Sequence, residues 1–476
     1  MRVSEYFSLG RRQSTLDFID VDVRADTRLF IDPSALLYLK NDFGNNCVFL
    51  VQNFFSTVIS HIKAGRNQHA IELLRVCKEP NETHLGLSMG ISRGTALGEQ
   101  SSLDVWNALT ESAAVVSGLI QDLEDTILLI PGISEDRVSD ITTNIIRSEL
   151  ITYTQGVCSA LNIPTQSVAS GPIWNFRKKE WTSTYTQLPF PEDRKLILVP
   201  KSIVRRSMHF DVDTYYRYSI LEHYRGIELN ANTSLVNVLK NNEKRVYIKD
   251  LKEKYPSGKE NIQKYTAENP KLLVEFRKER RIALPGPMDN FELSESLEIP
   301  PPQFQDLISE IRTISSGKEC AGQYEAVIEK YFSSVFYPSL TFPEKQTRLH
   351  EGRKIVDITY SNTAESGFFK WLSMHYKAPF IFIECKNYST DPNNPELDQL
   401  SGRFSSLRGQ FGLLICRKIE NKQKLEKRCK DTASDGRGLI IGLDDDDLEI
   451  IADAELSNEN KQLFSYLKEK FDKLVM

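Results

Sequence analysis

Apolar residues recur at helical spacing along most of this chain, and the places where that spacing fails divide it. Residues 46–77 and 103–129 carry apolar positions three and four apart, which predicts helices. Residues 17–37, DFIDVDVRADTRLFIDPSALL, alternate like one or two strands and then turn at Asp32-Pro33. A further helix is predicted to start at Ser134 in PGISEDRVSDITTNIIRSELITYTQ. On it Asp136, Asp140, Asn144 and Arg147 fall at i, i+4, i+8 and i+11, one polar face that suits a site or solvent equally. Between the helices Gly86, Gly90, Gly94 and Gly98 recur every four residues, which favours a loop. That loop matches neither phosphate-binding glycine motif, although glycine would let its backbone approach a nucleotide.

The pattern breaks at residues 282–305, where IALPGPMDNFELSESLEIPPPQFQ reads as an inter-domain linker because neither a helix interior nor a central strand accepts its prolines. Beyond it the alternation is more regular. AGQYEAVIEKYFSSVF predicts a helix with Tyr324, Val327, Ile328, Tyr331, Phe332 and Val335 on one side and Glu325 on the flank. GRKIVDITYSN predicts a strand, with Asp357 sharing a face with Ile355 and Thr359. PFIFIECKNYS predicts the next strand, on which Phe380, Phe382, Glu384 and Lys386 point one way. PELDQLSGRFSSLR and KLEKRCKDTA then read as helices, each followed by a buried strand, FGLLICR and GLIIGL.

An acid inside so apolar a strand needs a partner. Neighbouring strands could set Asp357 beside Glu384, and two carboxylates held together call for a divalent cation between them. Such a cation, Mg²⁺ or Mn²⁺, would activate a water at a scissile phosphate, and Lys386 would steady that water or the developing charge. E-x-K alone carries little information, for it also occurs at Glu420 and Glu459, both in polar contexts. Only Glu384 closes an apolar strand with an acid-bearing strand upstream.

In these residues and their order the chain resembles the PD-(D/E)xK, or restriction-endonuclease-like, nuclease superfamily, over roughly residues 316–450. The resemblance implies an αβββαβ core, with Asp357, Glu384 and Lys386 as the signature residues. It further implies roles for Glu325 on the first helix and Gln399 after E-x-K, and adds the backbone carbonyl of Cys385 to the metal ligands. It implies DNA, most simply double-stranded, as substrate, and the long N-terminal module suggests a restriction or phage-defence effector. No proline precedes Asp357, as one does in many members. Arg353, Lys354, Arg403 and Arg408 are candidates for phosphate contacts, and His350 for carrying a proton. Asp444 to Asp447 suit a helix start better than a second metal site.

Composition sharpens this in three ways. The formal net charge of −5 over 476 residues is uneven. Residues 201–281 hold 18 Lys and Arg against 11 Asp and Glu, leaving −12 for the rest. Cations interleaved with tyrosine there fit a nucleic-acid backbone, or simply a solvated helical face. Seven scattered cysteines without a C-x-x-C pair argue against a disulfide framework and a zinc ribbon. Finally, no apolar run is long enough to span a bilayer and the N-terminus lacks a signal core, so a cytoplasmic protein without a membrane partner is expected. The chain is thus expected to be α/β. A mixed, largely helical sensor or assembly region (1–200), a basic helical segment (201–281) and the linker precede a restriction-endonuclease-like domain (306–476). A homo-oligomer is expected, with a partner protein or trigger ligand at the N-terminal region. The alternatives are a catalytically inactive nuclease fold that binds nucleic acid or assembles, and an N-terminal enzyme that uses the glycine-rich loop.

Overall fold

The structure, a computed structural model, describes residues 1–86, 106–116, 118–349, 354–388, 390–456 and 460–476. Gly90, Gly94, Gly98, His350, Arg353 and Glu459 lie outside the described residues. Buried apolar side chains form two cores: one gathers residues from Val3 to Leu297 with Tyr337, and the other residues from Phe304 to Leu474.

In the first core Asp32-Pro33 opens a helix instead of closing a strand pair. Asp32 accepts the N–H of Ser34 at 2.8 Å and Pro33 takes the first position of α1 (Pro33–Tyr38), where its missing N–H costs nothing. Of the alternating stretch before it only Phe30–Ile31 pairs as a strand, with Val204–Arg205. The predicted helices follow as α2 (Asp42–Lys63), α3 (Asn67–Arg75), α4 (Glu135–Ile145) and α5 (Arg147–Leu161). Ser134 caps α4 as expected, accepting from Arg137 N. The single helix expected over 103–129 is broken in its described part into helical residues 106–110 and then Ala113–Val116 and Asp125–Leu129. The turn between the last two is tied by the Asp125 carboxylate, which accepts the N–H groups of Gln121 and Asp122 and pairs with buried Arg277. The polar stripe expected on one helix runs from α4 onto the first residue of α5 and proves largely internal. Asp140, Asn144 and Arg147 are buried, and Arg147 pairs with Glu82 while donating to Asn144 Oδ1 at 2.8 Å.

The basic segment comprises α6 (Leu221–Ala231), α7 (Ile248–Lys254), α8 (Lys259–Glu268) and α9 (Pro270–Ile282), with a short hairpin of Asn237–Val238 and Lys244–Arg245. Part of its charge is spent inside, for Lys201, Arg205 and Arg277 are all buried. The proline-rich stretch is no extended tether. It folds α10 (Asn290–Ser296) behind an Asp289–Glu292 capping box and packs Leu293 and Leu297 into the first core.

The second core is an α/β layer. It begins with α11 (Phe304–Thr313) and α12 (Ala321–Val335), and its sheet consists of β1 (Leu340–Leu349), β2 (Lys354–Asn362), β3 (Phe380–Lys386), β4 (Phe411–Cys416) and β5 (Leu439–Asp444). The strands lie side by side in chain order, β1 to β3 antiparallel and β3 to β5 parallel. Between β2 and β3 comes α13 (Gly367–His375), which sequence reading does not anticipate. The parallel steps are bridged by α14 (Asn394–Ser401) and α15 (Lys422–Ser434), and α16 (Asp445–Leu456) and α17 (Asn460–Val475) end the chain. Tyr360 donates to the carbonyl of Glu329, so α12 covers the face of Ile358 and Tyr360. Gly412 of β4, opposite Phe382, lies against Leu400 and Phe404, so α14 covers the other face. No described helix is long and apolar enough to cross a membrane.

Candidate functional site

Strand register brings the two acids together. β2 and β3 pair Ile358 with Ile383 and Thr359 with Phe382, so one further step sets Asp357 opposite Glu384. Directly opposed residues share a sheet face with their Cβ atoms roughly 5 Å apart. The Asp357 carboxylate accepts the N–H of Cys385 at 2.8 Å, which fixes it at the end of the ladder. Lys386 Nζ, on the same face as Glu384, donates to Glu384 Oε1 at 2.8 Å and to Gln399 Oε1 at 3.0 Å. Gln399 Nε2 closes the ring by donating to Glu384 Oε1. What aims Gln399 is the start of α14, where Asn393 and Glu396 form a capping box and Tyr388 donates to Glu396 at 2.7 Å. The exit of β3 is held by Asn387, whose amide donates to the carbonyls of Ser315 and Gly317.

Two buried side-chain atoms in this arrangement have no protein hydrogen-bond partner, Asn387 Oδ1 and Glu384 Oε2, and the second belongs to the acid pair. Glu384 is fully buried, and its Oε2 makes no hydrogen bond although Oε1 accepts two. A buried carboxylate oxygen left bare is costly and calls for an explanation. Burial, and after it the facing Asp357 carboxylate, push Glu384 up to about 6. Burial likewise raises Asp357, against the pull of the Cys385 N–H and the Lys386 charge. The cause is common to both: two acids share a dry place, with one lysine bonded to Glu384.

Glu325 approaches from α12. Its carboxyl is raised by burial and further by the charge of Asp357, yet its bonds run to β1, where Gln346 donates to it at 2.9 Å and Lys345 Nζ lies 4.0 Å away. It thus stands at the edge of the carboxylate pair and outside the hydrogen-bonded ring. Cys385 contributes backbone only, since its thiol is on the opposite face and burial holds it far above the usual thiol range. Asp357, Glu384 and the neighbouring carbonyl are hard oxygen donors of the kind Mg²⁺ or Mn²⁺ takes. Among the described residues no three His, Cys, Asp or Glu side chains form a ready metal cage. Any such ion would therefore rely on the two acids, the backbone and water.

Arg403 is a residue to which sequence reading assigns little. Its Nε donates to the carbonyl of Ile355 at 2.9 Å, and its charge pulls down both acids. Lys354 donates to the carbonyl of Gly402 and Arg408 to that of Arg403, so both brace the α14 turn. The acidic run after β5 acts as expected of a helix start. Asp444 and Asp447 exchange N–H bonds at 2.9 and 3.1 Å, Asp445 accepts from Tyr324, and Asp447 is paired by Lys422 and Lys470.

Residues 8–211 match the model of a family described as a domain of unknown function, DUF8370; the match covers most of the first core and none of the α/β layer. No curated protein and no solved structure matches the chain.

Proposed function

We propose that the chain is a metal-dependent nuclease of the PD-(D/E)xK type that hydrolyses phosphodiester bonds, most simply in double-stranded DNA. What carries the reading is the bare, buried Oε2 of Glu384 beside Asp357, with Lys386 and Gln399 fixed around it. Asp357, Glu384 and the Cys385 carbonyl would hold Mg²⁺ or Mn²⁺, which when bound supplies Lewis acidity towards phosphate and water. Lys386, released from Glu384 Oε1, holds the attacking water or the charge growing on phosphate. Gln399 keeps Glu384 in place and offers Lys386 an alternative acceptor. Glu325 adds a further carboxylate at the edge for an outer water. Arg403 offsets the negative charge of both acids and faces a site that must accept a polyanion. The β-strand order and the helices α12 and α14 on either face fit the restriction-endonuclease-like core, and a defence effector with an N-terminal sensing or oligomerising module fits the architecture by analogy.

The competing reading is a nuclease fold that binds nucleic acid or assembles without cutting. The closed ring of Lys386, Glu384 and Gln399 is the observation in its favour, because it neutralises the charges without any ion. Incubating supercoiled plasmid with the protein and Mg²⁺ or Mn²⁺ separates the two, with Lys386→Ala as control. Nicking or linearisation by the wild type alone supports the nuclease, and equal cutting by both proteins sinks the assigned site.

A further inference from the structure

A cleft of about 730 Å³ opens where the first core meets the α/β layer, a volume suited to a small ligand. Its wall is a triad of half-buried rings: the centroid of Phe43 is 5.3 Å from Phe342 and 6.0 Å from Tyr153, and Tyr153 is 5.8 Å from Phe342. Phe43 and Tyr153 come from α2 and α5, and Phe342 comes from β1, so the two cores build the wall jointly.

The charges around it are lopsided. The exposed acids Asp42 and Glu344 stand on the lining without an ion pair among the described residues, and Glu149 has only the Asn46 amide, at 3.2 Å. The cations on the lining are already engaged. Arg11 is locked in a buried pair with Glu329, and Lys345 faces Glu325. Deeper in, the Asp17 carboxylate accepts from Tyr153 at 2.9 Å and from Phe342 N at 3.1 Å. Aromatic faces with spare carboxylates attract a cation and repel a phosphate.

The β1 edge of the cleft is also distorted. Phe342 has φ +51°, a left-handed value rare for a bulky side chain, and the β1–β2 ladder jumps from Glu344 opposite Thr359 to Thr341 opposite Ser361. Phe342 and Pro343 are thereby left out of the ladder and present to the cleft. Gln346, three residues past Pro343, has φ +51° as well and holds Glu325. Strain of this kind gathers where a site is built.

We propose that this cleft is a binding site for a compact organic cation, an ammonium, guanidinium or amidinium group on an apolar or planar body, seated against Phe43 and Phe342 and paired with Asp42, Glu149 and Glu344. Because the same stretch of β1 that lines the cleft clamps Glu325, occupancy is felt at the carboxylate site; this second part rests on the nuclease reading, whereas binding does not.

Titration calorimetry on the full chain with agmatine, spermidine and benzamidine tests it, with glutarate and ATP as anionic comparators. One saturable site per chain is expected for at least one cation, weakened roughly tenfold in Asp42→Asn/Glu344→Gln, two exposed changes that spare the fold. Slowed amide exchange at residues 342–346 on binding should accompany it. No saturable cation binding, binding untouched by the double substitution, or tighter binding of ATP at this place would each overturn the proposal. A response to a basic peptide alone would overturn the small-ligand form of it. A cation that binds yet leaves plasmid cleavage unchanged overturns the link to Glu325, and a protein that binds but never cuts tells against the nuclease reading and leaves the site standing.

Discussion

Neutralising Asp357 should make the metal-free protein more stable while abolishing the proposed cleavage. In Asp357→Asn the side-chain oxygen can still accept the Cys385 N–H, so the ladder end survives. What disappears is a partly buried charge facing a fully buried one. Glu384 stands at about 6, some 1.5 units above its ordinary 4.5. At 1.36 kcal/mol per unit that amounts to about 2 kcal/mol of stability missing at neutral pH. Burial takes the larger share and the facing carboxylate the next, so the substitution should recover on the order of 1 kcal/mol. The sign follows from the raised value: Glu384 favours folding when protonated, and that contribution is lost as pH climbs through about 6. Urea unfolding of the α/β layer in EDTA should therefore show Asp357→Asn ahead of the wild type at pH 7.5 and by a smaller margin near pH 5. Mg²⁺ should reverse the order at pH 7.5, since a ligand that binds only the folded wild type stabilises it by mass action. Destabilisation of Asp357→Asn by 1 kcal/mol or more at both pH values would refute the reasoning, because Asp357 would then be a structural hydrogen-bond acceptor. Equal stabilisation of both proteins by Mg²⁺ would refute the metal assignment.

Three further outcomes follow from the packing. Gly438→Ala places a Cβ 2.1 Å from Phe404 Cδ2 at φ +108°, and should cost roughly 3 kcal/mol by thermal unfolding; Gly436→Ala, at φ +68° with nothing within 4 Å, should cost only about 1. Arg11→Met strands the buried Glu329 carboxylate and should cost about 3–5 kcal/mol, with limited proteolysis showing the two cores parting before either unfolds. Asp289→Ala removes the capping box of α10 and should lower stability by about 1 kcal/mol while leaving the proposed cleavage unchanged.

Much of the α/β layer is legible in the sequence because its signals are local. Alternation over Lys354–Asn362 and Phe380–Lys386 gives both strands and their faces, and face parity alone sets Glu384 and Lys386 together. The opposition of Asp357 to Glu384 needs register, which strand patterns do not state; here it follows from the antiparallel pairing of β2 and β3 around α13. That helix is hard to read because Phe368, Phe369 and Leu372 crowd so much apolar volume into nine residues that no helical stripe stands out. The first core is harder to read, since polar residues do its internal work. Asp140, Asn144 and Arg147 share a face that by spacing suits a site or solvent equally, yet all three are buried and Arg147 is answered by Glu82, more than sixty residues away.

The least legible contacts are those that join the two cores, and they bear on how the N-terminal region could influence the carboxylate site. Arg11 meets Glu329 across 318 residues, and Lys201 reaches Asn290 on one side and the carbonyl of Ser333 on the other. Both ties land on α12. Glu329 lies one turn beyond Glu325 on that helix, and Ser333, which donates to Glu329, lies one turn beyond again. A buried carboxylate such as Glu329 requires its cation, so α12 cannot keep its present seating unless residues 11–17 keep theirs. On β1, Asp17 holds the N–H of Phe342 in the same way, four residues before Gln346 grips Glu325. Residues 11–17 therefore fix both elements between which Glu325 is held, so a ligand that shifts them must move Glu325 relative to Asp357 or break the Arg11–Glu329 pair and the Asp17–Phe342 hydrogen bond.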